Sequence, residues 1–342
     1  MESKIITVIF SVILSIAVIF STEIFVFADK SIANVNCSVK LDSRAESCNE
    51  SKNINIAIVD NIEDAKNNLL ISKDESINIE FLKSGSCKNI TLQDYLIMVV
   101  MSEMPYTYER EALKAQAVAA RTYTLKLMEE NERHNGFCVC NNPSHCSAAL
   151  DREDYIEKYG DKAYESAYAV AKKAVGETDG LVIRYDGELC CAVYHSNSNG
   201  KTESSYNLWG TYTPYLISVS TTESPTIQTV SVDKSKFLKT IGTENDRFNV
   251  IYNDSGRVKE IKCADKVVIA SKLRQLFGLK SCDFEILCNQ NEIIFNVYGY
   301  GHGIGMSQLG ANEMAKEGST FDEILKHYYS GVSVEEYNKP PV

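Results

Sequence analysis

The sequence predicts an α+β fold of mixed helices and mainly antiparallel strands. Two helix-like patterns stand back to back between residues 91 and 131, short strand-like runs recur after them, and the C-terminal stretch returns to helices. That order lacks the regular strand–helix alternation of a parallel α/β sheet. At 342 residues the chain can bury a sizeable core, as one large domain or two smaller ones.

The first element is "MESKIITVIFSVILSIAVIFSTEIFVFADK", uncharged from Ile5 to Thr22. This run approaches the length that spans a bilayer and is long for the apolar region of a signal peptide, although "VFA" ending at Ala28 resembles a cleavage site. Residues 1–28 are therefore expected to be a signal-anchor or transmembrane helix, making the chain a single-pass cell-membrane protein with its body outside the cytoplasm. Residues 29–76, rich in Asn, Ser, Asp and Lys, read as a linker or N-terminal arm with "NINIAIVD" as its best strand candidate. The folded body is expected over 77–342.

"ITLQDYLIMVVMSEMP" reads as a helix with Thr91 as its cap, Leu92, Tyr95, Leu96, Val99 and Val100 as an apolar stripe, and Pro105 as a stop. "EREALKAQAVAARTYTLKLMEEN" is rich in helix formers, and Leu113, Ala117, Ala120, Thr124 and Leu127 make a small-residue face suited to close packing. "LVIRYDGELCCAVYHS" reads as a hairpin turning at Asp186-Gly187, with His195 at the end of its second strand. Strands are expected at "YLISVS", "RFNVIY" and "EIIFNVYG", and a helix at "ASKLRQLFG"; residues 222–290 are a candidate subdomain. "MSQLGANEMAKEG" and "TFDEILKHYYSG" read as the closing helices.

The charge balance, 35 basic against 46 acidic side chains for a net of -11, gives no general attraction for nucleic acid, and none is expected as a partner. An anionic substrate would need a local basic patch. Eleven cysteines are many for an exported chain, but six stand singly and do not resemble a small disulfide scaffold. Adjacent Cys190 and Cys191 read as buried thiols.

Glu103 continues the apolar stripe of its helix at Leu96 and Val100. Spacing alone admits a half-exposed residue in a last turn, or a carboxyl drawn to apolar surface whose pKa rises toward what a general acid needs. On the next helix, Lys114 and Arg121 share one flank, while Gln116 and Tyr123 share the other. "HNGFCVCNNPSHC" gathers His134, Cys138, Cys140, His145 and Cys146. A tetrahedral zinc takes four such ligands, but no C-x-x-C pair occurs, so a disulfide or free thiols remain alternatives. "NVYGYGHGIGMSQLGA" suggests a phosphate cradle but fails in register: Ile304 or Met306 stands where a dinucleotide fingerprint requires glycine.

"VVMSEMP" followed by "EALKAQAVAARTYTL", then "VYHSNSNGKTESSYNLWG" and "GYGHGIGMSQLGA", resembles the stage II sporulation protein D family of cell-wall lytic transglycosylases, which includes relatives of the amidase-enhancer type. These motifs span roughly residues 90 to 335. Asn199 stands where the family's pattern has its first glycine, and Asn tolerates the left-handed backbone that position needs.

The resemblance implies Glu103 as catalytic acid and a glycan-binding cleft. It implies Lys114, Gln116, Arg121, His195, Ser196, His302, Ser307 and Gln308 as its substrate-binding groups, with Arg121 on a muramyl carboxylate. It also implies a structural zinc on His134, Cys140, His145 and Cys146, with Cys138 spare. The implied activity is cleavage of the MurNAc–GlcNAc bond of peptide-stripped peptidoglycan, leaving 1,6-anhydro ends during engulfment. The implied partners are glycan strands, the membrane, and the amidase stage II sporulation protein P in the mother cell–forespore space. The alternatives are a zinc-dependent wall amidase or peptidase, and a non-catalytic glycan-binding amidase enhancer.

Overall fold

The computed structural model describes residues 76–81, 85–130, 139–263 and 266–337. All of them belong to one compact unit, Lys73–Val342. The expected anchor (1–28) and nearly all of the arm (29–76) lie outside the described residues. None of the described helices is long and apolar enough to cross a membrane.

The body opens with strands β1 (Ser76–Phe81) and β2 (Ser86–Thr91), an antiparallel pair that β3 (Val139–Cys140) extends in parallel along β1. Alternation puts Ile77, Ile79 and Phe81 into the core. β2 runs straight into helix α1 (Leu92–Glu103): Thr91 ends the strand and caps the helix, accepting from the Asp94 N–H at 3.0 Å. Pro105 disfavours helical backbone at Met104, which is extended at φ -123 and ψ 140 and closes the helix onto the Val100 carbonyl.

Helix α2 (Arg110–Glu130) is the hub of the body. It packs against α1, and against α4 (Asp161–Glu177), β4 (Leu181–Tyr185), α8 (Gln308–Lys316) and α9 (Phe321–Tyr328). Its run of alanines makes so many neighbours possible: residues 112–120 bury five alanines almost completely, and small side chains let helix axes approach closely. Helix α3 (Arg152–Tyr159) and α4 were not anticipated from the sequence. Their apolar residues are mostly small, and Ala167, Ala171, Ala174 and Val175 make the buried stripe of α4.

The Asp186-Gly187 hairpin joins β4 to β5 (Glu188–Leu189), with φ of 51 and 82 at the turn, both positive as a type I′ turn requires. β14 (Ser333–Glu336) pairs with the other edge of β4. The hairpin's second strand is shorter than expected. It ends at Leu189; the Cys190 N–H still donates to the Ile183 carbonyl of β4 at 3.1 Å, but the Cys191 N–H turns to the Tyr215 hydroxyl at 2.8 Å. His195 instead lies in β6 (Tyr194–His195), which pairs in parallel with β13 (Met306–Ser307). The expected strand at "YLISVS" is irregular backbone, with one bridge from Ser220 to Lys201. A short helix, α5 (Ser205–Trp209), precedes it.

Residues 227–298 pack around an apolar core of their own. Two three-stranded antiparallel sheets, β8–β9–β10 (Phe248–Tyr252, Val258–Cys263, Val267–Ile269) and β11–β12–β7 (Phe284–Cys288, Glu292–Tyr298, Ile227–Asp233), enclose α6 (Lys234–Ile241) and α7 (Ala270–Phe277). Ile293, Phe295 and Val297 alternate into that core at 0% exposure.

Candidate functional site

Glu103 ends α1 and is partly buried. One carboxylate oxygen accepts the Ala148 N–H at 2.7 Å, and the Gln308 side chain supplies a second hydrogen bond. Burial holds its pKa above the ordinary carboxyl value, and the two hydrogen bonds offset part of that rise. None of the groups that shift it is a carboxylate. Next to it, Ser102 accepts the Leu150 N–H at 2.9 Å, so the last turn of α1 grips the 147–150 segment twice. Tyr194 borders Glu103; its phenol is pushed up by burial and then by the Glu103 charge, and its hydroxyl meets Ser147 at 2.8 Å.

Behind Gln308 stands Gln116, whose carbonyl oxygen takes the Gln308 amide N–H at 3.3 Å. Gln116 is fully buried on the alanine-rich helix, so it positions Gln308. α8 carries Gln308 as its first residue, with Ser307 as N-cap: the Ser307 hydroxyl accepts the Gly310 N–H and donates to Glu223 at 2.6 Å.

Two residues before Ala148 ends a second cluster. The sulfurs of Cys140 and Cys146 and one ring nitrogen of His145 lie within 4.8 Å of one another. The His145 Nδ1 is 3.6 Å from the Cys140 Sγ and 3.8 Å from the Cys146 Sγ. Tetrahedral zinc, with sulfur at about 2.3 Å and nitrogen at about 2.0 Å, sets such pairs about 3.6 Å apart. The Cys140 thiol is pulled down to about 6, first by Cys146 and then, against burial, by Asn142 and His145, so a thiolate that could bind a metal is accessible at neutral pH. His134 and Cys138 lie outside the described residues.

The family model described as "Stage II sporulation protein" matches residues 83–185, the segment that carries Glu103 and the Cys/His cluster. Stage II sporulation protein D of Bacillus subtilis (strain 168) is 35% identical over 273 residues, covering 76% of this chain and 79% of the relative. Its counterpart in Bacillus amyloliquefaciens is 33% identical over the same length. The chain belongs to the stage II sporulation protein D family. An amidase enhancer of B. subtilis is a more distant relative, 28% identical over 70% of this chain and 40% of its own length.

Several residues assigned to the site by family motif occupy other places. Arg121 is 4% exposed, and its guanidinium donates to the carbonyls of Thr178, Leu181 and Val175, closing the C-terminal end of α4. A carboxylate has no access to it. Lys114 pairs with Glu111 at 2.8 Å and lies over the Phe321 ring. Ser307 is fully buried and spent on Glu223 and Gly310, so it is no hydroxyl-binding group.

His195 is buried between Ile304 O (3.1 Å from Nδ1) and the Ser198 hydroxyl (2.6 Å from Nε2), and burial lowers its pKa well below the usual value. It is a neutral strut between two loops. Ser196 is half-buried, and its carbonyl accepts the Leu309 N–H at 3.0 Å. His302 lies 5.8 Å from the His195 ring and accepts the Ile304 N–H at 3.0 Å.

The glycine loop makes its close approach to its own chain, not to α1. Gly299, Gly301, Gly303 and Gly305 all have φ between 69 and 112. A Cβ at Gly305 would lie 2.1 Å from the Val193 carbonyl oxygen, and one at Gly301 would lie 2.8 Å from the His195 Cβ. The family's loop thus packs onto the 193–198 segment and delivers Gln308 to Glu103.

Sequence reasoning missed Ala148, Tyr194, Glu223 and Arg257. Glu223 ties the two loops together through the Ser198 N–H and the Ser307 hydroxyl. Arg257 reaches from the 227–298 core to the Ser198 hydroxyl at 3.1 Å. Of the four, only Tyr194 carried a signal, as the tyrosine of the "VYHS" motif.

Proposed function

We propose that this chain is a membrane-anchored lytic transglycosylase of peptidoglycan, acting on the bond between N-acetylmuramic acid and N-acetylglucosamine. The observation that carries the reading is the carboxyl of Glu103, raised by burial, gripped by Ala148 and Gln308, and shifted by no second carboxylate. Protonated Glu103 gives its proton to the glycosidic oxygen as the bond to muramyl C1 breaks. The resulting carboxylate takes the proton of the muramyl 6-hydroxyl as that oxygen closes onto C1. The products are a 1,6-anhydro end and a free 4-hydroxyl, with no water consumed. One carboxyl serves both steps, unlike the paired carboxyls of a hydrolase. The two hydrogen bonds to Glu103 aim it and stabilise the carboxylate formed midway.

Cys140, His145 and Cys146 fit zinc in donor chemistry and separation, and would hold it together with His134, the fourth ligand that the family resemblance implies. Four protein ligands would leave no position for water, so the ion would contribute structure and not chemistry. Cys146 is two residues from Ala148, and fixing the cluster fixes the N–H that aims Glu103. The proposed setting is the engulfment step of sporulation, outside the cytoplasmic membrane, on strands already stripped by an amidase such as stage II sporulation protein P; membership of the sporulation family supports this reading.

The test is product analysis. The protein is incubated with glycan strands, with and without stem peptides, and the products are weighed by mass spectrometry. Anhydromuramyl ends that disappear in Glu103→Gln are the expected result. Released peptides would instead identify a wall amidase, and unaltered strands an amidase enhancer that only binds.

A further inference from the structure

Resting on the reading of the substrate as a muramyl glycan, we propose that Lys280 and Tyr300 form a subsite that recognises the free lactyl carboxylate of a muramyl residue. A muramyl residue carries a lactyl ether whose carboxyl is charged when free and a neutral amide when a stem peptide is attached. A cation that meets it therefore distinguishes a bare strand from a substituted one. On a chain with a net charge of -11 that cation must be local.

Arg121 is enclosed by carbonyls and Lys114 is engaged by Glu111. Arg257 is 4% exposed and bonded to Ser198. Lys280 is exposed, its ammonium sits 5.3 Å from the centre of the Tyr300 ring, and no carboxylate of the described residues is ion-paired with it. The backbone under it is fixed, its N–H donating to Gln228 and its carbonyl accepting the Gly301 N–H, each at 2.9 Å.

Tyr300 is 48% exposed although the backbone around it is rigid. It exchanges two backbone hydrogen bonds with Asn197, at 2.9 and 3.2 Å, and stands between Gly299 and Gly301. A large ring held outward in this way gives the apolar face of a sugar something to lie against, while its hydroxyl stays wet. The loop continues through His302 beside His195, whose neighbour Tyr194 borders Glu103. The substrate is a polymer, so a subsite sugars away from Glu103 holds the same molecule.

The experiment uses the full chain carrying Glu103→Gln, titrated with three oligosaccharides. These are alternating MurNAc–GlcNAc strands with free lactyl carboxylates, the same strands as lactyl methyl amides, and GlcNAc oligomers. The acid strand is expected to bind about tenfold more tightly than the amide, as one charge-assisted hydrogen bond allows. Lys280→Met should abolish that preference while leaving the amide unchanged, and Tyr300→Ala should weaken acid and amide strands alike. Equal binding of acid and amide, a preference that survives Lys280→Met, or no binding of the acid strand overturns the proposal. The enzymatic reading is judged separately, by anhydro products from the chain with Glu103 intact, so either can fail alone.

Discussion

Glu103 sits where its own helix pattern points, on the line through Leu96 and Val100, and its raised pKa has a consequence for stability as well as for catalysis. A carboxyl whose pKa is higher in the folded state binds its proton more tightly there. Its contribution is greatest below the ordinary carboxyl pKa and is lost as pH rises through the native value. Gln does not titrate and keeps an oxygen for the Ala148 N–H. Glu103→Gln should therefore melt a few degrees above the parent at pH 7, with the gap closing toward pH 4, as scanning calorimetry at both pH values would show. The same change should lower turnover by about 10³-fold or more, the range of a lost general acid. For Arg121, Ser307 and His195 residue type and motif position were legible, but the role was not. What consumes them lies far along the chain: Val175, 54 residues from Arg121; Glu223, 84 from Ser307; Ile304, 109 from His195.

Helices α1 and α2 were readable because their stop, stripe and composition are local, and at α1 so is its Thr91 cap. Helices α3 and α4 were not, since a buried stripe of three alanines and one valine carries too little apolar signal to stand out. Strand β6 was misassigned to the hairpin because its alternation continues that of β5, while the backbone that pairs with it is β13, more than a hundred residues on. The glycine loop belongs to this scale, since its use depends on what it packs against. Gly305→Ala would combine a left-handed backbone at φ 69 with a Cβ 2.1 Å from the Val193 carbonyl oxygen, which cannot swing aside as a side chain would. A loss of about 2–4 kcal/mol is expected from strain and overpacking together. At Gly318, with φ 98 and nothing within 4 Å of an added Cβ, alanine brings strain alone and should cost about 1–2 kcal/mol. Urea unfolding of the two variants measures the difference.

Across the whole molecule the site is assembled from the end of α1, the 139–150 segment, the 194–198 segment and the start of α8, with the 227–298 core reaching in through Arg257. The Cys/His cluster is the clamp on the second of these. On the zinc proposal, a chelator should lower the melting temperature and diminish the formation of anhydro ends, with both restored by added zinc. Cys140→Ser should mimic the stripped state. Metal analysis, melting and product formation on the same samples check this. By itself the sequence determined the α+β class, the first two helices, the Asp-Gly turn, the candidate acid and the Cys/His donors, because each is written in neighbouring residues. Only the tertiary structure decided which polar groups remain available to a ligand. A buried donor or acceptor must find a partner, and in this fold the partners of Arg121, Ser307 and His195 arrive from distant segments, leaving Glu103 partly buried and Lys280 exposed at the surface.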